Sequence, residues 1–98
     1  MNGRLPPEVV QRIVRQNFGR FKLCYENGLR TKPDLAGRVT VRFRIDNSGA
    51  VAEAKRDPTT TMSDSATVDC IVRGYTNLSF PQPEAGEVTV VYPIEFQP

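Results

Sequence analysis

Apolar and polar residues alternate without a break from Gly37 to Ile45. Val39, Val41, Phe43 and Ile45 fall on one side of an extended chain and Arg38, Thr40, Arg42 and Arg44 on the other, the period of two that marks a half-buried β-strand. Asp46-Asn47-Ser48-Gly49 supplies turn chemistry and Ala50-Val51-Ala52 resumes the extended pattern, so this strand opens a hairpin. The second strand, Ala50 to Asp57, is weakly patterned, with Val51 its clearest anchor. Its Glu53, Lys55 and Arg56 suit a sheet edge, where charge discourages pairing with other chains. Another alternation runs from Glu87 to Phe96, setting Val88, Val90, Tyr92, Ile94 and Phe96 against Glu87, Thr89, Val91, Pro93 and Glu95. Pro93 has no N–H to give, which predicts an edge strand with that position turned outward, or a bulge there.

Two stretches carry helical spacing instead. Leu5-Pro6-Pro7-Glu8 is a helix start, since proline in the first turn loses no bond and an acid sits well near the positive end. Val10, Ile13, Val14, Phe18, Phe21, Cys24, Tyr25 and Leu29 then recur mostly three and four apart, predicting one helix of about twenty residues. Arg12, Arg15, Gln16, Arg20, Lys22 and Glu26 form its solvated face. Gly19 interrupts the middle at a cost of ~1 kcal/mol relative to alanine, and Gly28 followed by Pro33 brings the helix to a stop. After a connecting loop in which Leu35 is the one core contact, the hairpin, and a polar loop over Asp57-Pro58-Thr59-Thr60-Thr61-Met62, Ser63 or Asp64 caps a second helix. Its apolar positions are Val68, Ile71, Val72 and Tyr75, with Cys70 nearby. Prolines 81 and 83 end it, and Phe80 inserts into the core.

The element order is therefore helix, strand, strand, helix, strand. A right-handed crossover through the second helix lays the third strand antiparallel to the first on its free side. The expected fold is α+β: a three-stranded antiparallel sheet of order 2-1-3, with two helices on one face and Arg42 and Arg44 on the wet face near Glu53, Glu87 or Glu95. An exposed third strand is the one feature of such a scaffold with functional meaning, because an extended peptide can add to its unpaired backbone.

With 98 residues, 39% hydrophobic, the chain makes one domain, and no apolar run approaches the length that crosses a bilayer. Residues 1–5 read as a leading linker. Met1-Asn2-Gly3-Arg4 lacks the apolar core of a secretory signal, so any targeting or anchoring segment is expected in a longer parent protein. Thirteen basic against eleven acidic residues give +2, too balanced to argue for nucleic acid. Histidine is absent, which removes the usual general base, Ser-His or Cys-His pairs and typical zinc sites. No catalytic residue, cofactor or metal site is expected. Asp46 and Asp57 read as turn and strand-end residues, and no glycine-rich phosphate loop occurs. Cys24 and Cys70 are too far apart in sequence for a CxxC motif, and their spacing alone leaves a disulfide and two buried thiols equally open.

The order of elements, the hairpin Gly37 to Val51 and the Leu78-Ser79-Phe80-Pro81 ending followed by Val88 to Phe96 resemble the periplasmic C-terminal domain of TonB-family energy transducers. Val14-Arg15-Gln16-Asn17-Phe18, Cys24-Tyr25-Glu26-Asn27-Gly28-Leu29, Asp69-Cys70-Ile71-Val72-Arg73, Phe80-Pro81-Gln82-Pro83 and Val91-Tyr92-Pro93 are similar to the AgmX/PglI-type C-terminal domains of gliding and predatory bacteria. The resemblance covers nearly the whole chain. It implies a periplasmic module of an inner-membrane-anchored, envelope-spanning protein of the gliding-motility machinery, driven by an inner-membrane motor complex through the preceding part of the chain. It also implies that an outer-membrane or periplasmic protein peptide adds to the third strand along Val88, Thr89, Val90, Val91, Tyr92 and Ile94. Pro93 sits in that strand, which favours Val88 to Val91 as the usable part. An oxidising compartment would let Cys24 and Cys70 join the two helices. Third-strand exchange would give a homodimer. The contrasting expectation is a domain whose sheet face, with Arg38, Arg42 and Arg44, binds an anionic polymer such as nucleic acid or cell-wall glycan.

Overall fold

The computed structural model describes residues 4–98. Six elements follow one another: α1 (Pro7–Gln16), α2 (Phe18–Leu29), β1 (Gly37–Ile45), β2 (Val51–Arg56), α3 (Ser65–Tyr75) and β3 (Val88–Phe96). The strands form one antiparallel sheet in the order β2-β1-β3, as the alternation predicts. Of the five residues expected as a leading linker, 1–3 lie outside the described residues, Arg4 exchanges backbone hydrogen bonds with Glu84, and Leu5 packs against the core.

The single first helix expected from periodicity is two. Asn17 takes φ −104° and ψ 9°, and its side-chain amide donates to the Ile13 carbonyl at 2.8 Å. Asparagine satisfying a nearby carbonyl with its own side chain competes with the helical ladder, so the break falls there and not at Gly19, where an added Cβ would meet nothing within 4 Å. The break leaves the apolar stripe in phase, since Val10 and Val14 before it and Phe21, Cys24 and Tyr25 after it are all buried. Gly28 also differs from its expected role as a stop. It is buried inside α2, and a Cβ there would come within 2.3 Å of the Thr67 hydroxyl oxygen, so this glycine lets α2 and α3 approach closely. Cys24 of α2 and Cys70 of α3 are joined at the same interface across 46 residues of chain.

One aromatic chain ties the helices to the sheet: Phe21 stacks on Tyr75 at 4.6 Å, Tyr75 lies 5.0 Å from Phe43, and Phe43 stacks on Phe80 at 5.8 Å between centroids. Phe80 is fixed from behind by the hairpin turn. Its N–H donates to the Gly49 carbonyl at 2.9 Å, and Gly49 has φ +93° with the Phe80 oxygen where a Cβ would stand, so only glycine serves.

The loop after β2 does more than turn. Asp57 and Thr61 donate backbone N–H groups to Thr40 and Arg38, and the Thr60 hydroxyl both accepts from the Thr40 N–H and donates to its carbonyl at 3.0 Å. It thereby continues the edge that β2 abandons, buries Thr40 on the face expected to be wet, and delivers Met62 into the core.

Three carboxylates hold the connections. Asp46 accepts from the Ser48 hydroxyl and N–H, Asp57 from those of Thr59, and Asp64 caps α3 through Thr67 while facing Lys32 at 3.1 Å. Bonds from Ser48, Thr59 and Thr67 respectively hold each below the ordinary carboxylate value. A carboxylate whose folded value is depressed adds stability that is complete above its unfolded value and lost as pH falls through the folded one. The thermal midpoint should therefore be level from about pH 8 to 5 and decline below about pH 4. Asp64→Asn, which keeps a capping acceptor, should remove part of that decline. A midpoint constant down to about pH 2 would contradict the assignment.

Candidate functional site

The hydrogen bonds of β1 fix what β3 offers. Thr61 and Asp57 donate to the carbonyls of Arg38 and Thr40, each at 2.9 Å, so those two residues turn their main chain towards the β2 side. Main-chain direction alternates along a strand, so Val39, Val41, Phe43 and Ile45 turn theirs towards β3. Their register partners are Ile94, Tyr92, Val90 and Val88. The outward backbone groups of β3 are therefore those of Thr89, Val91, Pro93 and Glu95. Pro93 falls at an outward position, where its missing N–H takes nothing from the β1 ladder. Among the described residues, nothing pairs with the N–H and carbonyl that Thr89 and Val91 each present, or with the carbonyl that Pro93 presents.

The six residues expected to contact a partner thus separate by role. Thr89 and Val91 carry the outward main chain, and Val91 is 52% exposed. Val90 and Tyr92 are half-buried on the inner face and line a groove of 330 Å³ whose other wall is Leu5, Pro7, Val10 and Gln11. Val88 and Ile94 are buried and belong to the core. Glu95, absent from the expected set, has outward main-chain groups. It shares the phase of Pro93, two residues before it, and the register with β1 agrees.

Helix α1 runs beside β3 in the same direction, its start against Val88 to Tyr92, while Phe18, opening α2, stacks on Phe96 at 5.9 Å. An added strand would thus meet β3 on one side and α1 below. Its inward side chains would enter an apolar groove and its outward ones would lie beside Val91.

The charged face of the sheet is largely self-paired. Arg44 meets Glu87 at 2.7 Å and Arg38 meets Glu95 at 3.9 Å. Arg42, opposite Lys55 in the β1–β2 register, has no ion-pair partner among the described residues. Glu53 pairs with Lys55 on its own strand. Among the described residues, no group of three or more His, Cys, Asp or Glu could hold a metal, and no helix is long and apolar enough to cross a membrane.

No family model and no curated protein matches the chain. Among solved structures, the solution structure of the TonB C-terminal domain of Helicobacter pylori is similar, with a TM-score of 0.53 over 97% of this chain and 95% of that one at 19% identity. The chain has the α+β fold of a TonB C-terminal domain.

Proposed function

We propose that this chain is a non-enzymatic, periplasmic interaction domain that transmits force, part of an inner-membrane-anchored TonB-like protein, and that it grips an outer-membrane or periplasmic partner by strand addition to β3. The observation that carries this is the free edge itself. Among the described residues, β3 pairs with β1 alone, turns the main chains of Thr89 and Val91 outward, and has an apolar groove beside them. Strand addition takes affinity from such main-chain groups and specificity from alternate side-chain positions. The Cys24–Cys70 bond suits an oxidising compartment. The short segments quoted above extend the reading to the gliding-motility machinery, with a motor complex acting through the rest of the parent protein.

Binding of an anionic polymer is less well supported, because glutamates already neutralise Arg38 and Arg44. Backbone NMR of the oxidised domain, on adding a detergent-solubilised outer-membrane protein fraction, tests the proposal. Amide shifts should concentrate at Thr89, Val91 and Glu95 and survive moderate salt. Shifts confined to the helices, or binding that collapses steeply with salt, would overturn it.

A further inference from the structure

The groove beside β3 does not end at Val88. A second depression of 650 Å³ adjoins the groove there, the two sharing Leu5 and Val88 in their linings, and it reaches to Pro81. Its far end has apolar walls of Pro6, Val9 and Pro81, with Arg4, Gln82 and Glu84 at the rim. One wall is held in place: Arg4 and Glu84 exchange backbone bonds of 2.6 and 2.9 Å, which ties the α1 leader to the loop before β3. The hollow is therefore preformed, and its volume falls within the roughly 300–1,000 Å³ of sites that take small ligands.

The edge needs such an anchor. Before Pro93, an added strand finds only Thr89 and Val91 with both main-chain groups free, and a few exposed backbone bonds contribute little net affinity against the entropy of ordering a peptide. We propose that the hollow at the Val88 end is an anchor subsite for one large aromatic side chain of the partner segment, placed just beyond the residues that pair with Thr89 and Val91. The inference rests on the strand-addition reading above. The rings of Pro6 and Pro81 and the Val9 side chain give an apolar seat for a ring. Gln82 and Glu84 can accept the N–H or O–H that tryptophan or tyrosine needs to satisfy when buried.

The protein contains no tryptophan, so indole emission reports a peptide alone. The probes are a synthetic Thr-Val-Thr-Val-Thr peptide with tryptophan at its N-terminal end, another with it at the C-terminal end, and their alanine analogues. One tryptophan peptide should bind roughly tenfold tighter than its analogue with blue-shifted emission, and the end that gains reveals the strand direction. Val9→Lys should abolish the gain and the emission shift while leaving the Thr89 and Val91 amide shifts in place. Gln82→Arg, on an exposed loop, repeats the test should Val9→Lys unfold. Equal affinity of tryptophan and alanine peptides, with Thr89 and Val91 still shifting, would overturn the subsite and spare the edge. Absence of those two shifts with every peptide would overturn strand addition itself.

Discussion

Reduction of the Cys24–Cys70 bond should lower the stability of the folded domain by about 4 kcal/mol, the chain-entropy value for a loop of this length. The bond closes 46 residues of sequence, from α2 through the hairpin to α3, so the reduced unfolded chain regains the freedom of nearly half the protein. A small domain has roughly 5–15 kcal/mol in all, so the loss shifts the folding equilibrium about a thousandfold. It should appear as an earlier urea midpoint in reductant, and again in a Cys24→Ala, Cys70→Ala double variant without it. The rest of the α2–α3 contact, including Gly28 against Thr67, keeps the fold recognisable at low denaturant. Superimposable urea curves with and without reductant would show that the bond constrains nothing.

The second large effect separates two neighbouring residues. Val91→Pro removes an outward N–H and places a ring where an added strand would lie, yet every bond from β3 to β1 remains. Partner binding should weaken at least about tenfold, while the urea midpoint stays close to that of the parent. Val90→Pro does the reverse to the scaffold: the Val90 N–H faces Phe43, so the substitution breaks the central ladder and should destabilise the domain before it reports on binding. If immobilised Val91→Pro retained envelope partners as well as the parent does, the β3 edge would not be the grip.

The sheet was legible because its signal is local and doubled. Val39 to Ile45 and Val88 to Phe96 alternate cleanly, and Pro93 marks an outward position on an edge. Asp64 was one of two expected caps, and Glu87 one of three expected partners for Arg44. The break at Asn17 was not legible, because the apolar spacing stays in phase across it and only a side-chain bond to Ile13 betrays it. Nor was the role of Gly28, since a glycine near a helix end reads as a stop until the partner helix is known to cross there. The phase of Thr40 points it to solvent; Thr60 and Asp57, seventeen or more positions away, cover it. For the site, sequence supplied the strand and, through Pro93, the phase of its outward main chain, but not the groove, which depends on how α1 comes to rest beside it.

Were the domain pulled through the segment before α1, as the proposed function requires, the tie between Arg4 and Glu84 would bring that pull in beside the first residues of β3. Bonds between strands lie across the strand axis. A partner that leaves past Glu95 is then dragged lengthwise, and all rungs share the tension at once, as in a lap joint. One that leaves past Val88 is unzipped rung by rung. The same contacts would make a durable tow in the first orientation and a quick release in the second.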